Sequence, residues 1–154
     1  MLDLNLPKYE YLIRKEDGKL YIYDEVRKMY VFLTPEEWVR QHVVNFLFRN
    51  KSYPKGLISL ERGLNYNRMA KRADILVYDA ERHPLLLIEC KASTIELNEQ
   101  VVFQLATYNS AIGASFVGIS NGLQHFFWKM KDNGTFDLLP ELPDYKDINN
   151  SLKK

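Results

Sequence analysis

Two seven-residue segments constrain the fold more than anything else in this chain: Arg72-Ala73-Asp74-Ile75-Leu76-Val77-Tyr78 and Leu85-Leu86-Leu87-Ile88-Glu89-Cys90-Lys91. Each carries a nearly continuous apolar run, and the gap between them is short enough for a hairpin-like connection. Runs of that kind suit strands buried on both faces, as in an open α/β sheet covered by helices. Side chains two apart on a strand share a face, so Glu89 and Lys91 project together while Cys90 points away. With Asp74 ending the partner strand's apolar run, two carboxylates and an ammonium converge on one polar spot.

The rest of the chain can be read around these strands. Tyr9 to Lys15, Glu16-Asp17-Gly18 and Leu20 to Tyr23 read as an antiparallel β-hairpin, with Asp-Gly supplying the turn. Thr34-Pro35-Glu36-Glu37 is a helix start, with Thr34 as cap, Pro35 in the first turn and Glu37 placed to close a capping box; the helix is expected to reach about Phe48. Leu57 to Glu61, Lys71 to Tyr78 and Leu85 to Cys90 read as three strands of one sheet. Val101, Leu105 and Tyr108 recur at helical spacing in a second helix, from about Leu97 to Ala111, ending before Gly113. Ser115 to Ser120, Asn121-Gly122 and Leu123 to Lys129 read as strand, turn and strand. From Asp132 onward, Pro140 and Pro143 suggest a loop with frayed ends.

Composition narrows the class. A chain of 154 residues, 46% hydrophobic, can bury the core of one domain. A net charge of +1 argues against a general polyanion-coating protein and leaves room for a local basic patch. The single Cys90 cannot form an internal disulfide, and no signal peptide or long apolar run opens the sequence, so a cytoplasmic protein without a membrane segment is expected. His42, His83 and His125 are too scattered for a zinc-ligand spacing.

Carboxylates and a cation at strand ends are the groups a metal-assisted attack on a phosphodiester requires: hard oxygens for Mg²⁺, and a positive charge to orient water or offset developing charge. Asp74, fourteen intervening residues and then Glu89-Cys90-Lys91 resemble the D…ExK core of the PD-(D/E)xK nucleases, with Ala73 in place of the proline. Five motifs in order resemble, more narrowly, the N-terminal nuclease domain of type I restriction enzyme R subunits. They are Thr34-Pro35-Glu36-Glu37-Trp38-Val39-Arg40, Lys71-Arg72-Ala73-Asp74-Ile75, Ile88-Glu89-Cys90-Lys91, Gln104-Leu105-Ala106-Thr107-Tyr108 and Ser120-Asn121-Gly122.

That resemblance implies a restriction-endonuclease-like α/β (α+β) fold, a central mixed sheet flanked by helices with an N-terminal β-hairpin. The parts are a ribbon over residues 1–32, a nuclease core over 33–130 and a tail over 131–154. It implies a Mg²⁺-dependent DNA endonuclease of the restriction-modification or DNA-defence kind, with Mn²⁺ as a substitute. Asp74, Glu89 and the backbone carbonyl of Cys90 would hold the metal, and Lys91 would serve the attacking water. Glu36 lies nearer the edge of its helix's buried face than Glu37, which points almost opposite; taken alone, its place four residues before Arg40 reads as a surface ion pair, while the family's acidic residue on this helix favours Glu36 for the site and leaves Glu37 to the cap. Arg72, Gln104 and Tyr108 would meet the DNA substrate. No G-x-x-x-x-G-K-[ST] loop occurs, so any motor or specificity function belongs to a separate subunit. One site cuts one strand, so double-strand cleavage calls for a homodimer or two encounters. The alternative function is a nuclease-fold DNA-binding or assembly module without turnover.

Overall fold

The computed structural model describes residues 2–66 and 69–151, with side chains for 2–60 and 73–150. Ile13–Glu16 (β1), Lys19–Asp24 (β2) and Met29–Phe32 (β3) form a three-stranded antiparallel sheet in that order. The expected hairpin is therefore two-thirds of a sheet. Strand β3 is only four residues long and shows no clean alternation of burial, which hides it from a period-2 reading. Asp17 and Gly18 take the positive φ that the β1–β2 turn requires, at 51° and 77°.

Pro35–Asn45 (α1) begins as the sequence predicts, with the Thr34 hydroxyl accepting the Glu37 amide at 3.0 Å. It runs on into a π-helical turn over Phe46–Asn50. The main sheet follows: Ile58–Tyr66 (β4), Met69–Tyr78 (β5), Pro84–Cys90 (β6), Phe116–Ser120 (β7), His125–Met130 (β8) and Phe136–Leu139 (β9), in spatial order β4-β5-β6-β7-β8-β9. Every neighbouring pair is antiparallel except β6 with β7. That parallel pair is joined through Glu99–Ile112 (α2), as a parallel connection demands. Gly113, in the left-handed region at φ 78°, ends α2 at the expected residue.

The strands' alternation builds two cores. Ile75, Val77, Leu86, Ile88 and Cys90 face Val39, Val43, Val44 and Leu47 of α1. Leu76, Leu87, Val117 and Ile119 lie in a second cluster with Leu105 and Tyr108 of α2. Cys90 is fully buried in the first core, on the side away from Glu89. Gly118 has no side chain because the Phe127 ring of the paired strand occupies the space a Cβ would need.

The stretch expected to be a loop beyond Asp132 is instead structured. Strand β9 pairs with β8 from Phe127↔Leu139 to Met130↔Phe136, and a short helix, Tyr145–Ser151 (α3), follows. Leu142 and Ile148 enter the α1-side core, so burial overrides the two prolines. At the other end, the Asn5 amide donates to the Gly122 carbonyl at 2.8 Å, tying the first residues to the β7–β8 turn. Among the described residues no helix is long and apolar enough to cross a membrane.

Candidate active site

The polar spot lies where β5 and β6 stop exchanging backbone hydrogen bonds. Their ladder includes Ile75↔Ile88, Leu76↔Leu87 and Val77↔Leu86. Beyond it the Cys90 amide donates to Asp74 Oδ2 at 2.9 Å, so a side-chain carboxylate replaces a backbone acceptor. On its other side β6 stays paired with β7, and the Lys91 amide donates to the Ser120 carbonyl at 2.9 Å. This sets Glu89 and Lys91 on a strand anchored by β7, beside Asp74 on β5. The Lys91 ammonium stands 3.4 Å from Glu89 Oε1.

The electrostatics of the spot are unbalanced. Burial, and then the neighbouring Glu89 charge, push the Asp74 carboxyl up to about 6, against the opposing pull of the Cys90 amide and Arg40. Glu36, on the first turn of α1, is also raised, first by partial burial and then by Asp74, while Arg40 and Lys91 oppose the shift. Tyr108 is raised by burial, then by the charges of Glu89 and Asp74. Among the described residues the cluster thus brings the carboxylates of Glu36, Asp74 and Glu89 to Arg40 and Lys91, and Asp74 and Glu89 offer hard oxygens to a divalent ion. Among the described residues no group of three or more His, Cys, Asp or Glu is arranged to hold a metal ion. Two carboxylates, a strand carbonyl and retained waters suit Mg²⁺, which dehydrates reluctantly.

A model of the family described as "Type I restriction enzyme R protein N terminus (HSDR_N)" matches residues 35–143, well over half of the chain. The chain belongs to that family. No curated protein matches it. Among solved structures it is similar to a fragment assigned as the HsdR subunit of a type I restriction enzyme from Vibrio vulnificus YJ016, with a TM-score of 0.58 and 18% identity over 78% of this chain and 25% of that one. At that identity the likeness shows the fold alone, and the chain spans about a quarter of the length of that HsdR chain.

Within this R-protein N-terminal domain, the structure brings Asp74, Glu89, Lys91, Glu36 and Tyr108 together. Gln104, one turn before Tyr108, is exposed on α2, and the side chain of Arg72 lies outside the described residues. Two expectations about α1 need correction. Glu37 does not point away from the core: it is 5% exposed, and its carboxylate accepts from Arg40 Nη1 at 2.9 Å, Arg27 Nη2 at 3.1 Å and Gln41 Nε2 at 3.1 Å. Arg40 is no surface partner of Glu36. Its side chain is 4% exposed, and Nη2 reaches both Glu36 Oε1 at 3.2 Å and Asp74 Oδ1 at 3.0 Å.

Sequence reasoning missed Arg40 as a site residue, although a signal was present. At about 100° per residue, Arg40 falls between Val43 and Val44 on the wheel, inside the apolar stripe. A cation there must find a buried partner. The rest of the network had no local signal. Asp24, at the end of β2, accepts from Val26 N, Arg27 N, the Arg27 guanidinium and Gln41 Nε2, all within 2.9 Å, and so links the N-terminal sheet to α1.

Proposed function

We propose that the chain is a Mg²⁺-dependent deoxyribonuclease domain of restriction-modification type, using the PD-(D/E)xK arrangement of Asp74, Glu89 and Lys91. The observation that carries the reading is the placement of the Asp74 and Glu89 carboxylates with the Lys91 ammonium where β5 and β6 part, in a chain of the R-protein N-terminal family. Asp74, Glu89 and the Cys90 carbonyl would hold the ion, which when bound supplies Lewis-acid polarisation of the scissile phosphate. Lys91 orients the attacking water against Glu89 and offsets the charge that grows on the phosphate oxygens. Glu36, part-exposed beside Asp74, holds a further water at the edge of the site. Tyr108 directs its phenol at the same carboxylates, and the exposed Gln104 on the same helix is placed to meet a DNA phosphate. A separate motor or specificity subunit is the further partner of this reading, since the sequence carries no G-x-x-x-x-G-K-[ST] loop.

One observation favours the second reading, a DNA-binding or assembly module without turnover: Arg40 already neutralises Asp74 Oδ1. Incubation of supercoiled plasmid with the protein in Mg²⁺, Mn²⁺ or EDTA separates the two. The nuclease reading expects nicking that needs the metal and falls about 100- to 1000-fold in Lys91→Ala. A folded wild type that retards DNA in a gel yet leaves it uncut with either metal would establish the module instead.

A further inference from the structure

The guanidinium of Arg40 occupies the position at which a cation would approach Asp74, and it is held there from behind. Nη1 is fixed by Glu37 Oε1 at 2.9 Å, while Nη2 spans Glu36 Oε1 and Asp74 Oδ1 at 3.2 Å and 3.0 Å. Glu37 is itself gripped by Arg27 and Gln41, and both of those donate to the fully buried Asp24 at 2.8 Å. Side chains locked by several charge-assisted hydrogen bonds do not swing out of the way without breaking the whole set. The lock runs from the N-terminal sheet, through α1, to β5.

We propose that Arg40 is the resident counter-cation of this site: a positioning residue that holds Asp74 through Oδ1 and shares that carboxylate with an incoming divalent cation, so that it lowers the site's affinity for the ion while fixing the geometry that turnover needs. The inference rests on the reading of Asp74 and Glu89 as cation-binding carboxylates. Its physical content is a trade between two quantities that a purely structural arginine would move in the same direction. Removing the guanidinium takes one positive charge from beside Glu36, Asp74 and Glu89, which strengthens the pull on a dication. It also removes a donor that orients the Asp74 carboxylate, which harms a reaction sensitive to displacements of an ångström. A lysine at the same position restores the charge but not the fork that joins Glu37 to Asp74.

The test is calorimetric titration of Ca²⁺ and of Mg²⁺ into the full chain at about pH 8.5, where carboxylates are ionised, with plasmid nicking in Mg²⁺ measured alongside. Arg40→Met and Arg40→Gln are both made, since glutamine keeps a donor in case methionine does not fold, and circular dichroism checks each. We expect either neutral variant to bind the cations about tenfold more tightly while nicking falls about 100-fold. Arg40→Lys is expected to return the affinity to that of the wild type without restoring nicking. Equal or weaker cation binding by a folded Arg40→Met or Arg40→Gln would overturn the proposal and leave the metal-binding reading standing. No cation binding by the wild type would overturn both.

Discussion

Two buried aspartates, fifty residues apart, receive different treatment from the same fold. Asp24 ends β2 with donors on both oxygens from Val26, Arg27 and Gln41. Among the described contacts Asp74 accepts from one amide and one shared guanidinium, and burial together with a second carboxylate, Glu89, raises it to about 6. The first is electrostatically complete and serves as a joint between the N-terminal sheet and α1. The second is buried beside another carboxylate, at the place where two strands part. A fold keeps such an imbalance at the cost of stability, and sites that bind ions or substrates are where that cost is found.

Disrupting each aspartate should give opposite signatures. Asp24→Ala leaves Arg27 partly buried without its main partner and cuts the joint to Glu37. Unfolding by denaturant should show a loss of about 3–5 kcal/mol, against a far smaller loss for Asp74→Ala, whose charge the fold disfavours.

The pH dependence should separate them next. In Asp74 the folded carboxyl sits at about 6 against an ordinary 3.8, so the folded state keeps a proton that the unfolded state has already released. The stabilisation is full below about 4 and is lost as pH rises through about 6, on the order of 3 kcal/mol. Melting temperatures across this window should therefore show the wild type losing stability relative to Asp74→Asn as pH rises, with a level difference above. A difference that ran the other way would mean that Arg40 outweighs burial and Glu89.

The smallest effect expected is at Tyr108. Tyr108→Phe keeps the ring in the α2-side core and removes the phenol beside Glu89 and Asp74, so nicking should fall about tenfold with the melting temperature nearly unchanged. A large fall in melting temperature with nicking intact would make Tyr108 a core residue alone.

The difference between the two aspartates also explains what could be read from residues in order. Glu89 and Lys91 share a face because strands have period two, and Asp74 follows from the adjacent strand, so the heart of the site is a local pattern repeated across one hairpin. Glu36 follows from its place nearer the edge of the buried face of α1, together with the acidic residue the resembling family carries on that helix. Glu37 was misplaced because its burial depends on Arg27, ten residues away in the turn after β2, and no periodicity encodes that contact, whereas the place of Arg40 inside the apolar stripe of α1 is legible in the helical period. Strands β3 and β9 escaped for a related reason: four-residue strands gain their identity from the neighbour they pair with, and Leu142 and Ile148 were masked by the prolines and charges around them.

The central claim is that Asp74, and not Asp24, is the carboxylate built to receive a cation. Thermal unfolding with and without Mg²⁺, in the wild type, Asp74→Asn and Glu89→Gln, tests it most directly, because an ion bound only by the folded state raises the melting temperature. The account predicts a rise in the wild type that disappears in both variants. A wild type indifferent to Mg²⁺, or an equal rise in Asp74→Asn, would contradict it.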